Sequence, residues 1–479
     1  MNENMKKNKS ITSRDVDFAK WYTDIVKNAK LASYSNVKGF TVFEPNGYAL
    51  WENIQAVTDK KFKELGHQNV MMPLLIPESL LLKESEHIEG FAPEVAWVTT
   101  GGNKQLEEKL CIRPTSEVLF CDYYKDVVKS YRDLPKLYNQ WCSVVRWEKE
   151  TRPFLRTREF LWQEGHTVHE TKEEAMKETD QMLEVYRQVF EDYLAMPVIS
   201  GKKTESEKFA GAEYTLSIES MMYNGVSLQS ATSHYFGQKF TKPFDVKFVN
   251  RNNEFEYAYQ TSWGISTRSI GGMIMCHSDD NGLVIPPRIA PRKVVIIPIG
   301  KSSKVSAIAN DLKEKLNKSN IETFIDDSDK SIGFKFAEHE MNGIPFRIEL
   351  GERDLLNNTI IIARRDNYTK KAVSLDIDIV KYIINEIDVM HNDMFNVAKK
   401  RMEEKTYICH NLDEMKEVME NHPGFIKAMW CGNEACEKTI KDIRGTKSRC
   451  ILEDEEKVDT KCVCCGHDAK DLVIWGIQY

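Results

Sequence analysis

The sequence lacks two features that would each assign it to a different class of protein. No apolar run approaches the roughly 20 residues of a membrane-spanning helix; the stretch from Val70 to Ile76, which Pro73 interrupts, is typical of the longest. Positive charge is not in excess, because 66 Lys and Arg residues face 73 Asp and Glu residues, for a net charge of −7. A uniformly basic nucleic-acid coat is therefore excluded, although a local basic patch is not. We expect no membrane partner.

The beginning of the chain also lacks the features of a targeting segment. MNENMKKNKS has no apolar core of the kind a secretory signal requires, and Glu3 and Asp15 argue against a transit peptide. The chain has 11 cysteines. An odd number of cysteines without a secretory signal argues against a disulfide framework. We therefore expect a cytoplasmic protein.

What the sequence does contain is enough chain for about three domains. Of its 479 residues, 41% are hydrophobic and 29% charged, as in an ordinary globular enzyme. A proline-rich joint over 285–291 (IPPRIAP) ends a long first segment. After it, VVIIPI, IETFI, PFRIEL and TIIIA predict strands, and apolar patterns over 305–316 and near 333–342 predict helices. With a further helix from about residue 375, these alternating elements predict a compact α/β domain.

A charged helix over about 391–405 is expected to lead into a cysteine-rich tail. Seven of the cysteines lie in the last 71 residues, at Cys409, Cys431, Cys436, Cys450, Cys462, Cys464 and Cys465. Local clustering of this kind in a cytoplasmic chain indicates metal binding. We thus predict three domains, at 1–288, 289–395 and 396–479.

Periodicity places several elements in the first segment. Apolar faces over 18–29 and 51–65 predict two helices, and HQNVMMPLLIP (67–77) predicts a strand. Thr171 is expected to cap a long helix, with Glu174 reaching back in a capping box.

The stretch over 132–166 predicts a hairpin that suits nucleotide binding. A strand around 141–145 would present Arg146 and Glu148 on one face, and a second strand would span about 155–162. The second strand carries four alternating side chains: Arg156, Arg158, Phe160 and Trp162. Guanidinium groups bind phosphate oxygens, and an aromatic ring stacks on a base. The alternative is a surface hairpin of alternating charge, which would account equally well for any single arginine.

Three motifs here resemble those of the class II aminoacyl-tRNA synthetases. GHQNVMMP (66–73) is similar to motif 1, and Arg146-x-Glu148 with the later Arg156-x3-Phe160 resembles motif 2. SWGISTRSIG (262–271) resembles motif 3 and includes Arg268. Each motif alone is weak, but three in the expected order are specific.

Four shorter matches are similar to the prolyl-tRNA synthetase family, in its archaeal and eukaryotic-like form. They are RPTSE (113–117), FLWQEGH (160–166), KFAGA (208–212) and QSATSH (229–234). The resemblance runs from about residue 15 to Tyr479. It implies an α/β (α+β) protein with an antiparallel-sheet catalytic domain, an α/β anticodon-binding domain and a small zinc-binding-like C-terminal domain.

The resemblance also implies roles for individual residues. Those implied for proline binding are Thr115, Glu117, Arg146, Trp162, Glu164, His166, His234, Ser262 and Gly264, with Trp263 beside them. Those implied for ATP binding are Arg146, Glu148, Arg156, Thr157, Phe160, Gln229, Thr232 and Arg268. Arg146 and Arg268 are the implied catalytic residues, and Mg²⁺ would bridge the ATP phosphates.

The implied function is activation of L-proline with ATP and transfer of proline to tRNA(Pro) by a homodimer. This chemistry needs no general base, because the proline carboxylate is already the nucleophile. Two alternatives remain: a catalytically inactive relative that acts as an RNA-binding or regulatory protein, and a related enzyme for threonine. The implied residues are all present, which disfavours the first, and the catalytic segment lacks a Cys/His set for the second. Bacterial-type relatives carry an editing insertion between motifs 2 and 3; this chain has no room for one.

Two further expectations concern the downstream segments. Six residues of the 289–395 unit could supply positive charge for RNA phosphates: Lys330, Lys335, Arg347, Arg353, Arg364 and Arg365. Phe334, Phe336 and Phe346 could stack on bases or belong to the core.

In the tail, two close cysteine pairs suit structural zinc: Cys431 with Cys436, and Cys462 with Cys465. Cys464 is an alternative to Cys465, which we favour because it completes a C-x2-C spacing before Gly466. Tyr479 matches a family tendency to end in tyrosine near the catalytic domain, or is an exposed end.

Overall fold

The computed structural model describes residues 11–85, 94–453 and 455–479. The first ten residues, on which the expectation about targeting depends, lie outside this part. The helices are α1 Phe18–Asn28, α2 Pro45–Glu64, α3 Glu78–Ser85, α4 Glu117–Val127, α5 Lys172–Asp192, α6 Arg268–His277, α7 Ser303–Lys318, α8 Ile332–Met341, α9 Glu352–Leu356, α10 Ile379–Glu404, α11 Leu412–Asn421 and α12 Glu434–Lys441.

The strands follow the same chain order. They are β1 Ala32–Tyr34, β2 Thr41–Phe43, β3 Gln68–Asn69, β4 Leu75–Pro77, β5 Trp97–Gly101, β6 Lys104–Ile112, β7 Lys136–Val145, β8 Glu159–His169, β9 Val198–Lys202, β10 Tyr214–Met221, β11 Ser227–Gly237, β12 Lys247–Val249, β13 Phe255–Tyr257, β14 Tyr259–Ser266, β15 Val294–Ile299, β16 Thr323–Ile325, β17 Phe346–Gly351, β18 Thr359–Arg364, β19 Lys370–Ser374, β20 Thr406–Ile408, β21 Phe425–Trp430, β22 Thr446–Ile451 and β23 Asp471–Ile477.

An eleven-stranded sheet, in the order β20-β21-β23-β22-β9-β10-β11-β14-β8-β7-β3, organises the molecule. Its central strands, from β9 to β7, are antiparallel to one another, whereas β3 at the edge is parallel to β7. The predicted antiparallel-sheet architecture of the first segment is confirmed.

Helix α5 covers one face of this central sheet. Its predicted N-cap is confirmed, because the Thr171 hydroxyl accepts a hydrogen bond from the Glu174 backbone N–H. Beneath the sheet, the Trp263 ring packs 4.9 Å from the Phe62 ring of α2. Gly165 permits this packing, since a Cβ there would lie 2.2 Å from a carbon of the Trp263 ring. With one face filled by this core, the other face is left for a site.

The middle unit has a five-stranded sheet in the order β16-β15-β17-β18-β19. Strand β15 is parallel to both β16 and β17, whereas β17, β18 and β19 are antiparallel. The predicted strands and helices of this α/β unit are present, and α9 and β19 are additional. The prediction of separate helices from about 375 and over 391–405 is wrong: α10 is one uninterrupted helix of 26 residues.

The C-terminal strands extend the central sheet. Strand β22 pairs with β9 through Ile451 and Lys202. Gly201 allows this approach, because a Cβ there would lie 2.4 Å from the Ile451 carbonyl oxygen. One further sequence expectation fails: residues 67–77 form the two short strands β3 and β4, separated by extended chain around Pro73, and not one strand. Within the part of the chain that the structure describes, no helix has the length and apolar character needed to cross a membrane.

Candidate active site

A cavity of about 250 Å³ lies against the open face of the central strands. The strand register explains its composition. His166 of β8 is opposite Ser262 of β14, and Ser262 is opposite His234 of β11. Side chains of directly opposed residues project from the same face, and alternate residues along each strand share it. One face thus collects polar side chains from three strands that are distant in sequence.

Most of the predicted site residues line this cavity. They are Thr115, Glu117, Arg146, Phe160, Trp162, Glu164, His166, Gln229, Thr232, His234, Ser262, Trp263, Gly264 and Arg268. Lining residues that the sequence did not single out are Glu207, Phe209, Thr215, Ser230, Ala231, Ile265 and Ser266. Thr215 had a usable signal, because it alternates with Ser217 on a strand beside β11. Phe209 lies in the KFAGA match but had no role assigned to it.

Buried carboxylates occupy one end of the cavity. Glu164, 2% exposed, accepts hydrogen bonds from the Ser116 backbone N–H at 3.1 Å and from Gln140 Nε2 at 2.6 Å, and the Ser116 hydroxyl also donates to it. His166 Nε2 lies 3.0 Å from Glu164. Glu117, 3% exposed, accepts a hydrogen bond from the Thr115 hydroxyl. The two acids are thus held in fixed positions.

Their environments move the two pKa values in opposite directions. Burial opposes ionisation of Glu164, but the hydrogen bond and charge of His166, with hydrogen bonds from Ser116 and Gln140, outweigh it and lower the pKa. Burial raises the pKa of Glu117, with the neighbouring Glu164 carboxylate acting in the same direction and His166 opposing it. Added positive charge at this end of the cavity would favour the ionised form of Glu117.

His234 is held as a neutral ring. Its Nδ1 lies 2.9 Å from the Thr215 hydroxyl and its Nε2 lies 3.1 Å from the Thr232 hydroxyl. Burial, aided by electrostatic interactions with His166 and Arg146, lowers the pKa of His234 to about 3. The Phe209 ring packs 4.8 Å from it. This side of the cavity is therefore uncharged and partly aromatic.

Two arginines also line the cavity. Arg146 Nε donates to the Pro114 carbonyl at 3.0 Å, and its guanidinium lies 5.5 Å from the Phe160 ring and 5.1 Å from the Trp162 ring. Arg268 Nε donates to the Leu155 carbonyl at 3.3 Å. Burial and the charges of nearby arginines lower the pKa of Arg268 to about 10, so it remains a cation at neutral pH. Two fixed cations of this kind suit an anionic ligand.

Three predicted nucleotide residues lie outside the lining: Glu148, Arg156 and Thr157. Strand β8 begins at Glu159 and not near residue 155, so the loop between β7 and β8 carries all three. Arg156 lies 3.8 Å from Glu148, and the Thr157 hydroxyl donates to the Glu159 carbonyl at 2.5 Å. The Tyr479 hydroxyl contacts Arg152 of the same loop, so the chain end lies beside it.

The four predicted cysteine ligands converge in the C-terminal segment. The sulfur atoms of Cys431, Cys436, Cys462 and Cys465 all lie within 4.8 Å of one another. The Sγ distances are 3.7 Å from Cys431 to Cys436 and 3.8 Å from Cys465 to Cys431. A tetrahedral zinc ion with Zn–S bonds of about 2.3 Å separates its sulfurs by about 3.8 Å. The geometry fits zinc and is far too wide for a disulfide.

The basic residues predicted in the middle unit are mostly engaged by acidic partners. Arg347 pairs with Glu340 and Glu349, Arg364 with Asp366 and Asp393, and Arg365 with Asp279. Lys330 pairs with Glu338, and Lys335 is 3% exposed. Phe346 belongs to the core, whereas Phe334 is 56% exposed. Phe336 lines a second cavity of about 350 Å³, between Arg347 at 4.0 Å and Lys370 at 5.0 Å.

Comparisons with known proteins connect these sites to a family. Family models match three ranges: "tRNA synthetase class II core domain (G, H, P, S and T)" over residues 97–276, "Anticodon binding domain" over 293–386, and "Prolyl-tRNA synthetase, C-terminal" over 412–479. A proline–tRNA ligase of Clostridium botulinum (strain 657 / Type Ba4) is 56% identical over 470 residues, which is 98% of each chain. That of Clostridium novyi (strain NT) is 54% identical over 480 residues, covering both chains completely. The chain belongs to the prolyl-tRNA synthetase family.

A solved structure supports the same assignment for this prolyl-tRNA synthetase. Prolyl-tRNA synthetase from Cryptosporidium parvum, complexed with halofuginone and AMPPNP, superposes with a TM-score of 0.94 at 38% identity, over 98% of this chain and 99% of that one. The class II core range contains every residue that lines the first cavity. The chain is thus a proline–tRNA ligase, with an anticodon-binding domain after its catalytic core.

Class II synthetases use ATP with Mg²⁺, and the positions of the potential metal ligands in this prolyl-tRNA synthetase indicate how the ion would be held. Among the described residues, potential metal ligands converge at two places, the four cysteines and Glu117 with Glu164 and His166. Neither group includes a residue implied for ATP. A magnesium ion therefore fits as one bound mainly by phosphate and water oxygens.

Proposed function

We propose that the first cavity binds L-proline at its carboxylate end and ATP at its arginine end, and that it forms prolyl-adenylate before transfer to the 3′ end of tRNA(Pro). The observation that carries this proposal is the charge of the lining: the buried carboxylates Glu117 and Glu164 and the cations Arg146 and Arg268 line the same cavity. Proline is a secondary ammonium joined to a carboxylate, and ATP is a polyanion. One cavity with both kinds of charge suits the two substrates together.

At the proline end, Glu117 accepts from the protonated ring nitrogen, with Thr115 beside it. Glu164 holds His166 and the Ser116 backbone in place and adds negative potential. Trp162 and the neutral His234 flank the pyrrolidine ring, His166 braces Glu164 beside it, and Ser262 and Gly264 close the pocket from β14. A neutral His234 is favourable here, because a second cation would repel the ammonium.

At the ATP end, Arg146 and Arg268 neutralise phosphate charge, and Phe160 stacks on adenine. Gln229 and Thr232 contact the nucleotide from β11. Glu148, Arg156 and Thr157 act from the loop after β7, at the part of ATP that extends beyond the cavity, since none of the three lines it.

The chemistry follows from positioning. A carboxylate oxygen of proline attacks the α-phosphorus, the new P–O bond forms prolyl-adenylate, and pyrophosphate departs. The terminal ribose hydroxyl of tRNA then attacks the prolyl carbonyl, and AMP leaves. Magnesium supplies further neutralisation of the phosphate charge when ATP is bound. A role for Arg146 in the first step is supported by its hydrogen bond to the Pro114 carbonyl, beside Thr115, and by its distance of 5.5 Å from the Phe160 ring.

Proline-dependent ATP–pyrophosphate exchange tests this proposal. We expect exchange with proline and none with threonine, and we expect Arg146→Ala to abolish exchange without altering the folded structure. Arg132→Ala is the matched control, because Arg132 is an exposed arginine before β7. Absence of exchange would favour the alternative, an inactive synthetase-like RNA-binding or regulatory protein. Retained exchange in Arg146→Ala would contradict the role of that residue.

Further proposals concern organisation and partners. We propose functional units at 1–288, 289–395 and 396–479, although the second boundary falls inside α10. A structural zinc ion is proposed at Cys431, Cys436, Cys462 and Cys465, supported by the sulfur geometry. A homodimer through the motif 1 region is supported by the exposure of Met71 (89%) and Leu74 (46%) and is testable by sedimentation. Phe336 and Arg347 are proposed to contact tRNA, and the enzyme is proposed to act in the cytoplasm.

A further inference from the structure

A buried group of three charged residues joins the C-terminal segment to the catalytic sheet. Arg449 of β22 donates to Glu219 of β10 from Nε at 3.0 Å and from Nη2 at 2.8 Å. Lys203, which follows β9, donates to Glu219 at 2.7 Å and to the Arg449 carbonyl at 2.7 Å. The exposed fractions are 1% for Arg449, 0% for Glu219 and 3% for Lys203. We call these residues the buried triad.

The buried triad has more cationic than anionic groups. Glu219 is the one carboxylate that pairs with either cation among the described residues. Lys203 makes two donor hydrogen bonds; burial lowers its pKa, and the charge of Glu219 opposes this effect. In addition, Arg449 Nη1 is buried and makes no hydrogen bond to the residues described. Burial of two basic side chains beside one carboxylate, with an unpaired donor, is unfavourable for folding, so stability alone does not explain the arrangement.

The triad lies beside the nucleotide end of the first cavity. Glu219 is directly opposite Gln229 in the pairing of β10 with β11, and Gln229 lines the cavity. Directly opposed residues project from one face, so Glu219 is on the cavity face of the sheet. The charge of Arg449 is also one of the contributions that lower the pKa of Arg268, after burial and the charges of Arg156 and Arg146.

We propose that Arg449 is a positioning residue for ATP: its charge, supplied by the C-terminal segment, adds positive potential at the phosphate subsite and makes ATP binding depend on docking of that segment. This proposal rests on the nucleotide site proposed above. Arg449 does not line the cavity, and it acts on the phosphates without touching them. The close approach of β22 to β9 at Gly201 holds it in place.

The test compares ATP with adenosine, which lacks the phosphates. Binding of Mg–ATP and of adenosine is measured by equilibrium dialysis for the unmodified enzyme, Arg449→Met, Arg449→Lys and Lys203→Met. We expect Arg449→Met to weaken ATP binding about tenfold, because the attraction of an anion by a buried charge is less screened than in water, and to leave adenosine binding within about twofold. Arg449→Lys keeps the charge and should recover most of the ATP affinity. In exchange assays, KM for ATP should rise while KM for proline stays constant.

Glu453→Gln is the matched control. It removes a partly exposed ion pair, Lys202 with Glu453 at 3.5 Å, at the same β9–β22 junction. Equal loss of ATP and adenosine binding in Arg449→Met, or no loss of either, would overturn the proposal. If Arg449→Met does not fold, the same comparison of ATP binding with adenosine binding is made with Lys203→Met, which removes the other basic side chain of the buried triad. Failure of the proposed function has a different signature: the unmodified enzyme would bind ATP but show no proline-dependent exchange.

Discussion

The hydrogen bonds around Glu164 lead to a strong prediction for Glu164→Gln. In the folded protein, the neighbours of each Glu164 carboxylate oxygen are hydrogen-bond donors. Oε2 accepts from the Ser116 N–H and lies near His166 Nε2, and Oε1 accepts from Gln140 and from the Ser116 hydroxyl. In either orientation, the side-chain amide of a glutamine would place its NH₂ group, which is a donor, against one of these two sets of donors.

The magnitude follows from counting these contacts. The substitution loses two hydrogen bonds to a charged acceptor, each worth about 1.5–3 kcal/mol, and leaves buried donors without partners. We therefore expect a loss of about 3–6 kcal/mol in the free energy of unfolding, a large part of the 5–15 kcal/mol that is typical of proteins. Because Glu164 fixes His166 and Ser116 beside Thr115, KM for proline should also rise by about tenfold or more, with a smaller change in KM for ATP.

Denaturant unfolding and ATP–pyrophosphate exchange measure the two effects. Glu159→Gln is the matched control, because Glu159 lies on the same strand β8 but is exposed. The stabilisation by Glu164 should also depend on pH, in a direction that its lowered pKa determines. The pKa of Glu164 is lowered in the folded state, so its stabilisation is present above the unfolded value near 4.5 and is lost as pH falls below it. The difference between the two proteins should shrink at acidic pH. Unchanged stability and unchanged KM for proline in Glu164→Gln would refute this reasoning.

Three other predictions follow. Burial lowers the pKa of His169 to about 4, whereas the unfolded chain binds this proton with a pKa near 6.5. At pH 5.5 the difference should reduce the free energy of unfolding by about 1.4 kcal/mol. In His169→Gln, the free energy of unfolding should fall by that much less between pH 7.5 and 5.5. Metal analysis should find one zinc per chain, lost in Cys465→Ser and retained in Cys464→Ser, and the opposite pattern would exchange the ligand assignment. Residues 170–258, all of which are described, form α5, β9 to β13 and their loops, without a separate editing domain. The purified enzyme should therefore not hydrolyse preformed alanyl-tRNA. Hydrolysis would contradict the predicted absence of editing.

The sequence predicted the site well where chemistry repeats along one strand. Phe160, Trp162, Glu164 and His166 alternate on β8, and period two alone places them on one face. The support of Glu164 by Gln140 and Ser116 was not predictable, because it depends on the register of β7 against β8 and on the position of α4. The same limit explains Trp263: its ring packs on Phe62 beneath the sheet, a side that sequence spacing does not specify.

Errors in the fold have similar physical origins. The polar residues His391, Asn392 and Asp393 interrupt the apolar pattern, which suggested two helices instead of α10. In the structure, His391 instead contacts the Glu191 carbonyl at 3.0 Å, so tertiary packing favours an unbroken helix. The buried triad was not predicted either. Lys203, Glu219 and Arg449 are far apart in sequence, and nothing in their local patterns indicates burial.

The uninterrupted α10 has a mechanical consequence. At 1.5 Å per residue its 26 residues form a rod of about 39 Å. The rod packs on α7 in the anticodon-binding unit and on α6, which begins with Arg268, and it leads directly into β20. The sequence of α10 contains no glycine or proline, which are among the usual sites of sharp helix kinks. We therefore expect a displacement of the anticodon-binding unit to move α6 and β20 with it, because the connecting helix resists bending.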